Sequence, residues 1–520
     1  MTMISPLNVR RKFLLREEVA LFDLRGEADY ALAHPLFAAS LPLGQLEARI
    51  GAILPRLDTA IIVYDDGEGY CDLAVERLES LGYSDVRVMA GGLDGWRSAG
   101  FELFQDVNSA SKAFGELVEY RRHTPSIPAP EAKALIERNG KFVILDARRF
   151  DEYQNMNIPT GISVPGAELV LRARALAPDP ATMIIVNCAG RTRSILGAQS
   201  LINAGLPNPV KALRNGTIGW LLAGQSLETG SERSFSEADS DFEAEARRAA
   251  RDVAYRAGVK PIDRDALAAL MEDPRRTTYR FDVRSLEEYL AGHPAGFLHA
   301  PGGQLVQETD VFAPVRGARI VLADNRGVRA DMTGSWLAQM GWEVYVLDAA
   351  LAGEIHHGPA PDLRPTPPSP PLMSATALAE RADEVRIVDL SSSPRYRRGH
   401  IPHAAFAVRS RLLEISGKLV GRPIVFTSED GYIARYAATE LAAVNKGQIY
   451  ALEGGNAAWV SEGRALAAGE DEMLVRADDV YRRPYEGTDN PESAMQAYLD
   501  WEYGLVTQLE RDGTHGFFVV

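Results

Sequence analysis

Val143-Ile-Leu-Asp146-Ala-Arg148 reads as a short apolar strand closed by an acidic residue, and the chain repeats it. The same event recurs as Ala20-Leu-Phe-Asp23-Leu-Arg25, Tyr279-Arg-Phe-Asp282-Val-Arg284 and Arg386-Ile-Val-Asp389-Leu-Ser391. After each comes a short turn: His34-Pro35, Asn157-Ile-Pro159, Gly292-His293-Pro294 and Gly399-His-Ile-Pro402. A second apolar strand follows (Ile61 to Tyr64, Met183 to Asn187, Arg319 to Ala323, Pro423 to Thr427) and runs into a polar or Gly-containing loop and a helix. The loops begin at Asp65, Cys188, Asp324 and Ser428. Their offset from the strand-end Asp is identical in the first three copies and only three residues shorter in the fourth. A third strand then leads into a Gly-rich turn with Trp in three copies: Gly91-Gly-Leu-Asp-Gly-Trp96, Asn215-Gly-Thr-Ile-Gly-Trp220 and Gly454-Gly-Asn-Ala-Ala-Trp459. The third copy, around Leu347-Asp-Ala-Ala, lacks the Trp. Self-similarity at a fixed period is the signature of tandem units.

Short apolar strands alternating with amphipathic helices predict an α/β fold, each copy a small parallel β sheet with helices on both faces. At 520 residues the chain exceeds what one hydrophobic core supports. The expected units are 1–108, 126–226, 258–356 and 372–467, with 468–520 a C-terminal tail outside the repeat. Three linkers are expected: Asp106 to Ser126; the polar Glu228 to Asp241, leading into a helix near Phe242 to Ala257; and Pro359 to Pro371, stiffened by its prolines. The tail carries Ala494, Met495, Tyr498, Leu499, Trp501, Tyr503, Leu505 and Val506 in a helix-like pattern too apolar to leave in water, so it is expected to dock.

With 46% hydrophobic and 24% charged residues, the composition is that of a globular protein. A net charge of −15 argues against a nucleic-acid partner. No apolar run reaches membrane-spanning length and Met1 to Phe13 has no signal-like core, so neither membrane nor export is expected and the location reads as cytoplasmic. Two cysteines, Cys71 and Cys188, exclude a disulfide framework and a thiolate-rich metal site. The adjacent His356 and His357 border the Pro-rich stretch and read as a solvated linker. No metal and no cofactor are expected.

Cys188-Ala-Gly-Arg-Thr-Arg193 precedes Ser194 and a helix pattern, which puts a cysteine on a strand-to-helix loop. Such a loop turns backbone N–H groups inward, and the helix N-terminus adds partial positive charge, forming an anion cradle. With Arg191 and Arg193 beside it, the Cys188 thiol is expected to fall toward or below neutrality and to be largely thiolate. Cys71, among acidic neighbours at a helix start, reads as a small packed thiol.

The order of strand-Asp-x-Arg, Gly-His-Ile-Pro-like turn, strand-Cys-loop-Arg-Ser-helix and Gly-Gly-x-x-x-Trp turn resembles the rhodanese family, along most of the chain and most closely in the second copy. The whole is similar to the multidomain rhodanese-related sulfurtransferases of bacteria. The resemblance implies four tandem rhodanese-like domains of which one is catalytic. Cys188 is then the nucleophile, taking sulfane sulfur from a thiosulfate-like donor as a persulfide and passing it to cyanide or a thiol acceptor. The substrate cradle is Ala189, Gly190, Arg191, Thr192, Arg193 and Ser194, with Arg193 and Arg191 neutralising the donor; Arg191 stands where the family often has Gly. Asp146 and Arg148 are expected to order strand ends. Domains 1, 3 and 4, with Asp65, Asp324 and Ser428 at the cysteine position, cannot form a persulfide there and are expected to scaffold the second or bind a protein partner. Two other readings remain. A Cys loop ending in Arg also suits a phosphatase or arsenate reductase, although those use a loop one residue longer. Three degenerate copies also suit a non-enzymatic scaffold or sulfur-sensing module.

Overall fold

Runs such as Ile61-Ile-Val-Tyr64 and Met183-Ile-Ile-Val-Asn187 carry consecutive apolar, largely β-branched side chains, and a strand apolar on both faces is stable between two layers of helices. The computed structural model describes residues 2–235, 240–487 and 489–520 and builds four five-stranded sheets from such runs. Every ladder in them is parallel, and numbering the strands along each copy the order is always first, fifth, fourth, second, third. The fourth strand is the central one: Ile61–Tyr64, Met183–Asn187, Arg319–Ala323 and Ile424–Thr427. Its last residue, one before the loop, pairs in register with the strand-end Asp: Asp23 with Tyr64, Asp146 with Asn187, Asp282 with Ala323 and Asp389 with Thr427. All four loops therefore leave the carboxyl edge of the central strand, where ligands bind in open α/β sheets.

Small repeated devices fix these edges. Arg25, Arg148 and Arg284 grip Asp23, Asp146 and Asp282 through two nitrogens and give a third bond to the Ala33, Met156 and Gly292 carbonyls. In the fourth copy, with Ser391 in place of Arg, Asn456 Nδ2 donates to Asp389 at 2.8 Å. Tyr30, Tyr153, Tyr289 and Tyr396 each donate a hydroxyl to the carbonyl eight residues on. Trp96, Trp220 and Trp459 each donate Nε1–H to a carbonyl six residues on.

The connections differ from expectation. Asp106 to Ser126 holds a helix, Ser109–Arg122, whose residues from Ser111 to Val118 are all buried, because the helix that follows Cys188 and the C-terminal helix pack against it. Of Glu228 to Asp241, residues 236–239 lie outside the described residues; the helix Ser240–Arg256 follows. His356 and His357 are exposed, as a solvated stretch implies, but the segment is not free of structure: Ile355–His356 pairs antiparallel with His293–Pro294. The Pro-rich stretch passes over the first unit, where Leu363 O lies 2.1 Å from where a Cβ on Gly51 would stand, so Gly51 admits the crossing.

Beyond the fourth sheet the chain runs back across the others. It first edges its own sheet, where Phe406 N–H donates to Glu472 O, and then reaches the first unit, where Ala28 N–H donates to Asp478 O and Tyr481 N–H to Glu27. The helix Glu492–Asp512 lies on Ser109–Arg122. Phe517 then meets Phe37 and Phe114 edge-on, and Phe518 and Val520 donate their N–H groups to Gln339 in the third unit. Among the described residues no helix is long and apolar enough to cross a membrane, and no group of three or more His, Cys, Asp or Glu could hold a metal.

Candidate active site

Cys188 directly follows the central strand Met183–Asn187, and the chain turns through Arg191 into the helix Thr192–Asn203. The Gly-rich turn supports this loop from beneath: Thr217 and Ile218 donate their N–H groups to the Cys188 and Ala189 carbonyls, both at 3.0 Å. A Cβ on Gly216 would stand 2.3 Å from the Cys188 carbonyl oxygen and φ there is +53°, so the approach requires glycine. Gly115 plays a similar part above, where a Cβ would meet Thr192 Cγ2 at 2.8 Å, and brings the helix Ser109–Arg122 onto the start of the helix behind the cysteine.

Cys188 is 2% exposed. Burial pushes its thiol above its ordinary value; Arg193 and the Ser194 amide and hydroxyl pull it down, and Glu502 adds to the rise. The expectation of a thiol driven toward or below neutrality is therefore corrected. The loop and helix N-terminus are present, but the C-terminal helix excludes water from them, and the arginine charges are already matched by carboxylates. Arg193 donates both Nη groups to Glu152, at 2.8 and 2.9 Å. Burial works against that carboxylate, yet the charges of Arg193, Arg148 and Arg149 hold Glu152 down at about 2.

The Arg191 side chain is taken up by protein groups, which corrects the expectation that it neutralises a donor; its backbone N–H keeps its place in the loop. A guanidinium has five N–H donors, and here all five have protein acceptors. Nε and one Nη take both oxygens of Glu116, the same Nη reaches Glu119, and the other Nη donates to Asn215 and the Tyr503 hydroxyl. The Tyr503 ring also lies 4.1 Å from the guanidinium. Arg191 thus clasps the catalytic loop to the helix Ser109–Arg122 and to the C-terminal helix. Ala189 packs against the Met495, Tyr498 and Leu499 side of that helix, Ser194 Oγ donates to Arg191 O at 2.8 Å, and Thr192 Oγ1 is buried with no hydrogen-bond partner among the described residues.

Comparison with known proteins matches the Rhodanese-like domain family four times, over residues 11–99, 128–223, 263–353 and 374–462. The chain belongs to this family. It is similar along its whole length to the crystal structure of a thiosulfate sulfurtransferase from Pseudomonas aeruginosa, at 54% identity and a TM-score of 0.98, covering 100% of both chains. It is also 26% identical over 214 residues to a thiosulfate sulfurtransferase of Azotobacter vinelandii, covering 37% of this chain and 77% of that protein.

The four rhodanese loops differ in what occupies the cradle. In the first, Gly67, Tyr70 and Cys71 donate their N–H groups to the Asp65 carboxylate. In the third, Arg326, Val328 and Arg329 do the same for Asp324, and the Arg329 side chain adds two bonds. The carboxylate occupies the place of an anionic ligand in both. In the fourth, Ser428 Oγ takes one long bond, from Ala434 N–H at 3.4 Å. Cys71 is half-buried, and burial, with Asp65 next, pushes its thiol up.

Arg329 sets the third loop apart from the first and fourth, where Tyr70 and Ile433 hold its position. It binds Glu168 and Glu288 as well as Asp324, and a cavity of about 360 Å³ lined by Arg247 and Arg251 opens over Asp324. In a Cys188→Ser background, Asp324→Cys is expected to titrate about one pH unit below Asp65→Cys or Ser428→Cys, read as iodoacetamide alkylation against pH. Equal midpoints would assign thiol activation to the backbone amides alone.

Proposed function

We propose that the chain is a thiosulfate sulfurtransferase whose catalytic unit is its second rhodanese domain, with Cys188 as nucleophile and persulfide carrier. One observation carries the reading. Of four equivalent loops, two are occupied by their own carboxylates, one begins with a serine, and only the loop of residues 188–194 presents a sulfur to the amides of a strand-to-helix turn. In the forward half-reaction the Cys188 thiolate attacks the sulfane sulfur of thiosulfate. The new S–S bond forms as the old one breaks, and sulfite leaves with the electron pair. In the return half-reaction cyanide or a thiolate takes the outer sulfur and the Cys188 thiolate is regenerated.

The backbone N–H groups from Ala189 to Ser194 hold the outer sulfur, and Arg193, kept in place by Glu152, supplies positive charge beside it. Residues 1–108, 258–356 and 372–467 form a scaffold around the catalytic domain 126–226, and 468–520 fastens them. The two cysteines are free thiols, which fits a reducing, cytoplasmic setting. The test is thiocyanate formation from thiosulfate and cyanide by the full chain. Steady turnover is the expected result, and none under any acceptor, thiols included, would return the protein to the scaffold or sensing class.

A further inference from the structure

The C-terminal helix Glu492–Asp512 places a carboxyl group over the Cys188 loop. Glu502 is 0% exposed. Its Oε1 accepts a hydrogen bond from the Tyr498 hydroxyl at 2.8 Å, while Oε2 is buried with no hydrogen-bond partner among the described residues. That oxygen lies 3.2 Å from the point where a Cβ on Gly190 would stand, and the Tyr498 ring lies 3.1 Å from the same point. A glycine in the middle of the loop is what lets the carboxyl approach.

The cations around Glu502 are already matched. On the helix Ser109–Arg122, Lys112 binds Asp106 at 2.8 Å and lies under the rings of Tyr485, Tyr498 and Trp501. On the loop, Arg191 is held by Glu116 and Glu119, and Arg193 by Glu152. Glu116 faces Glu502 as a second acid, Cys188 faces it from the loop, and Tyr485 and Tyr498 close the remaining sides. A buried carboxylate with no cation of its own favours its neutral form. Burial first, and Glu116 next, push Glu502 up to about 8 against the weaker downward pull of Lys112, the Tyr498 hydroxyl and Arg191.

We propose that Glu502 is a positioning residue that must carry a proton for the Cys188 loop to hold an anion, so that thiolate, persulfide and thiosulfate dianion each reside there together with a protonated Tyr498–Glu502 pair. The inference rests on the sulfurtransferase reading and adds to it. Attack on thiosulfate transfers no proton: one thiolate and one dianion give one persulfide anion and sulfite dianion. The Glu502 proton stays where it is and limits the negative charge in a closed site. Glu502 is strongly linked to Glu116, and its charge also raises the Cys188 thiol. With Glu502 at about 8 and the Cys188 thiol pushed above its ordinary value, the first proton leaves mainly Glu502, and the reactive form, a thiolate beside a neutral carboxyl, is the minor one of the two singly deprotonated forms. Loss of both places two anions in the site, so anion loading fails on the alkaline side.

The experiment is single-turnover sulfite release from thiosulfate, which stays a dianion throughout, by the full wild-type chain and by Glu502→Gln between pH 6 and 10. The wild type is expected to give a bell, falling about tenfold per pH unit on its alkaline side. Glu502→Gln is expected to rise to a plateau, about tenfold above wild type at about pH 9, with the Cys188 alkylation midpoint lowered by about one pH unit. A Glu502→Gln profile that keeps the wild-type alkaline limb overturns the proposal. Should that variant not fold, proton uptake by Cys188→Ser on thiosulfate binding in weak buffer decides: uptake above about pH 8 supports the proposal and none overturns it. A wild type that releases no sulfite at any pH overturns the sulfurtransferase reading itself.

Discussion

Cys188→Ser is expected to reduce thiosulfate-dependent sulfur transfer by at least about a thousandfold, the scale on which removing an enzymatic nucleophile acts. The hydroxyl is nearly isosteric with the thiol, and Ser194 and the loop carbonyls that receive Thr217 and Ile218 do not depend on sulfur, so the fold and melting temperature are expected to stay. The loss therefore reads as chemistry. The matching measurement is intact mass after thiosulfate treatment. Wild type gains one sulfur, about 32 Da, Cys188→Ser gains none, and Cys71→Ser gains it as wild type does. Cys71 differs because its thiol is held up by burial and by Asp65, while its amide serves the Asp65 carboxylate. An adduct that survives Cys188→Ser would remove Cys188 from the mechanism.

The repeat was legible because its parts are local. An apolar run, a strand-end Asp and a loop at constant offset become one register pair, such as Asp146 against Asn187. Four such units in one order amount to four sheets of one topology. What was not legible comes from other parts of the chain. Arg191 suggests a ligand contact because it stands beside a cysteine, whereas of its acceptors only Asn215 belongs to the domain, and Glu116, Glu119 and Tyr503 lie on two helices outside it. The sequence suggests a depressed thiol because loop and helix terminus are visible in it, but burial, which a linear sequence does not display, outweighs them. One such partnership does have a signal in the sequence. The two loops that end in arginine, at Arg193 and Arg329, belong to the two copies with Glu directly before the repeated Tyr: Glu152-Tyr153 and Glu288-Tyr289. Those glutamates are the arginines' partners.

Truncation after Ala468 is expected to lower the melting temperature by at least about 10 °C and to expose Cys188 to alkylation. The buried side chains lost include Met495, Tyr498, Leu499, Leu505, Leu509 and Phe517. Each contributes about 1.5–3 kcal/mol of transfer free energy on burial, so together they match the whole stability of a typical domain, about 5–15 kcal/mol. The tail also joins units that otherwise meet over separate surfaces. Gln508 donates to Leu103 O and Arg511 pairs with Glu102 in the first, Tyr503 binds Arg191 in the second, and Val520 binds Gln339 in the third. Its removal leaves Phe37, Phe114 and Ala189 facing water, an apolar surface that favours association. Two readouts separate packing from chemistry. Thermal unfolding reports the lost burial, and the rate of iodoacetamide labelling at Cys188 reports the opened loop. A truncated chain that melts like the full one would show that the helix Glu492–Asp512 rests on the surface without stabilising it. Unchanged labelling would show that the cysteine is closed off by its own domain.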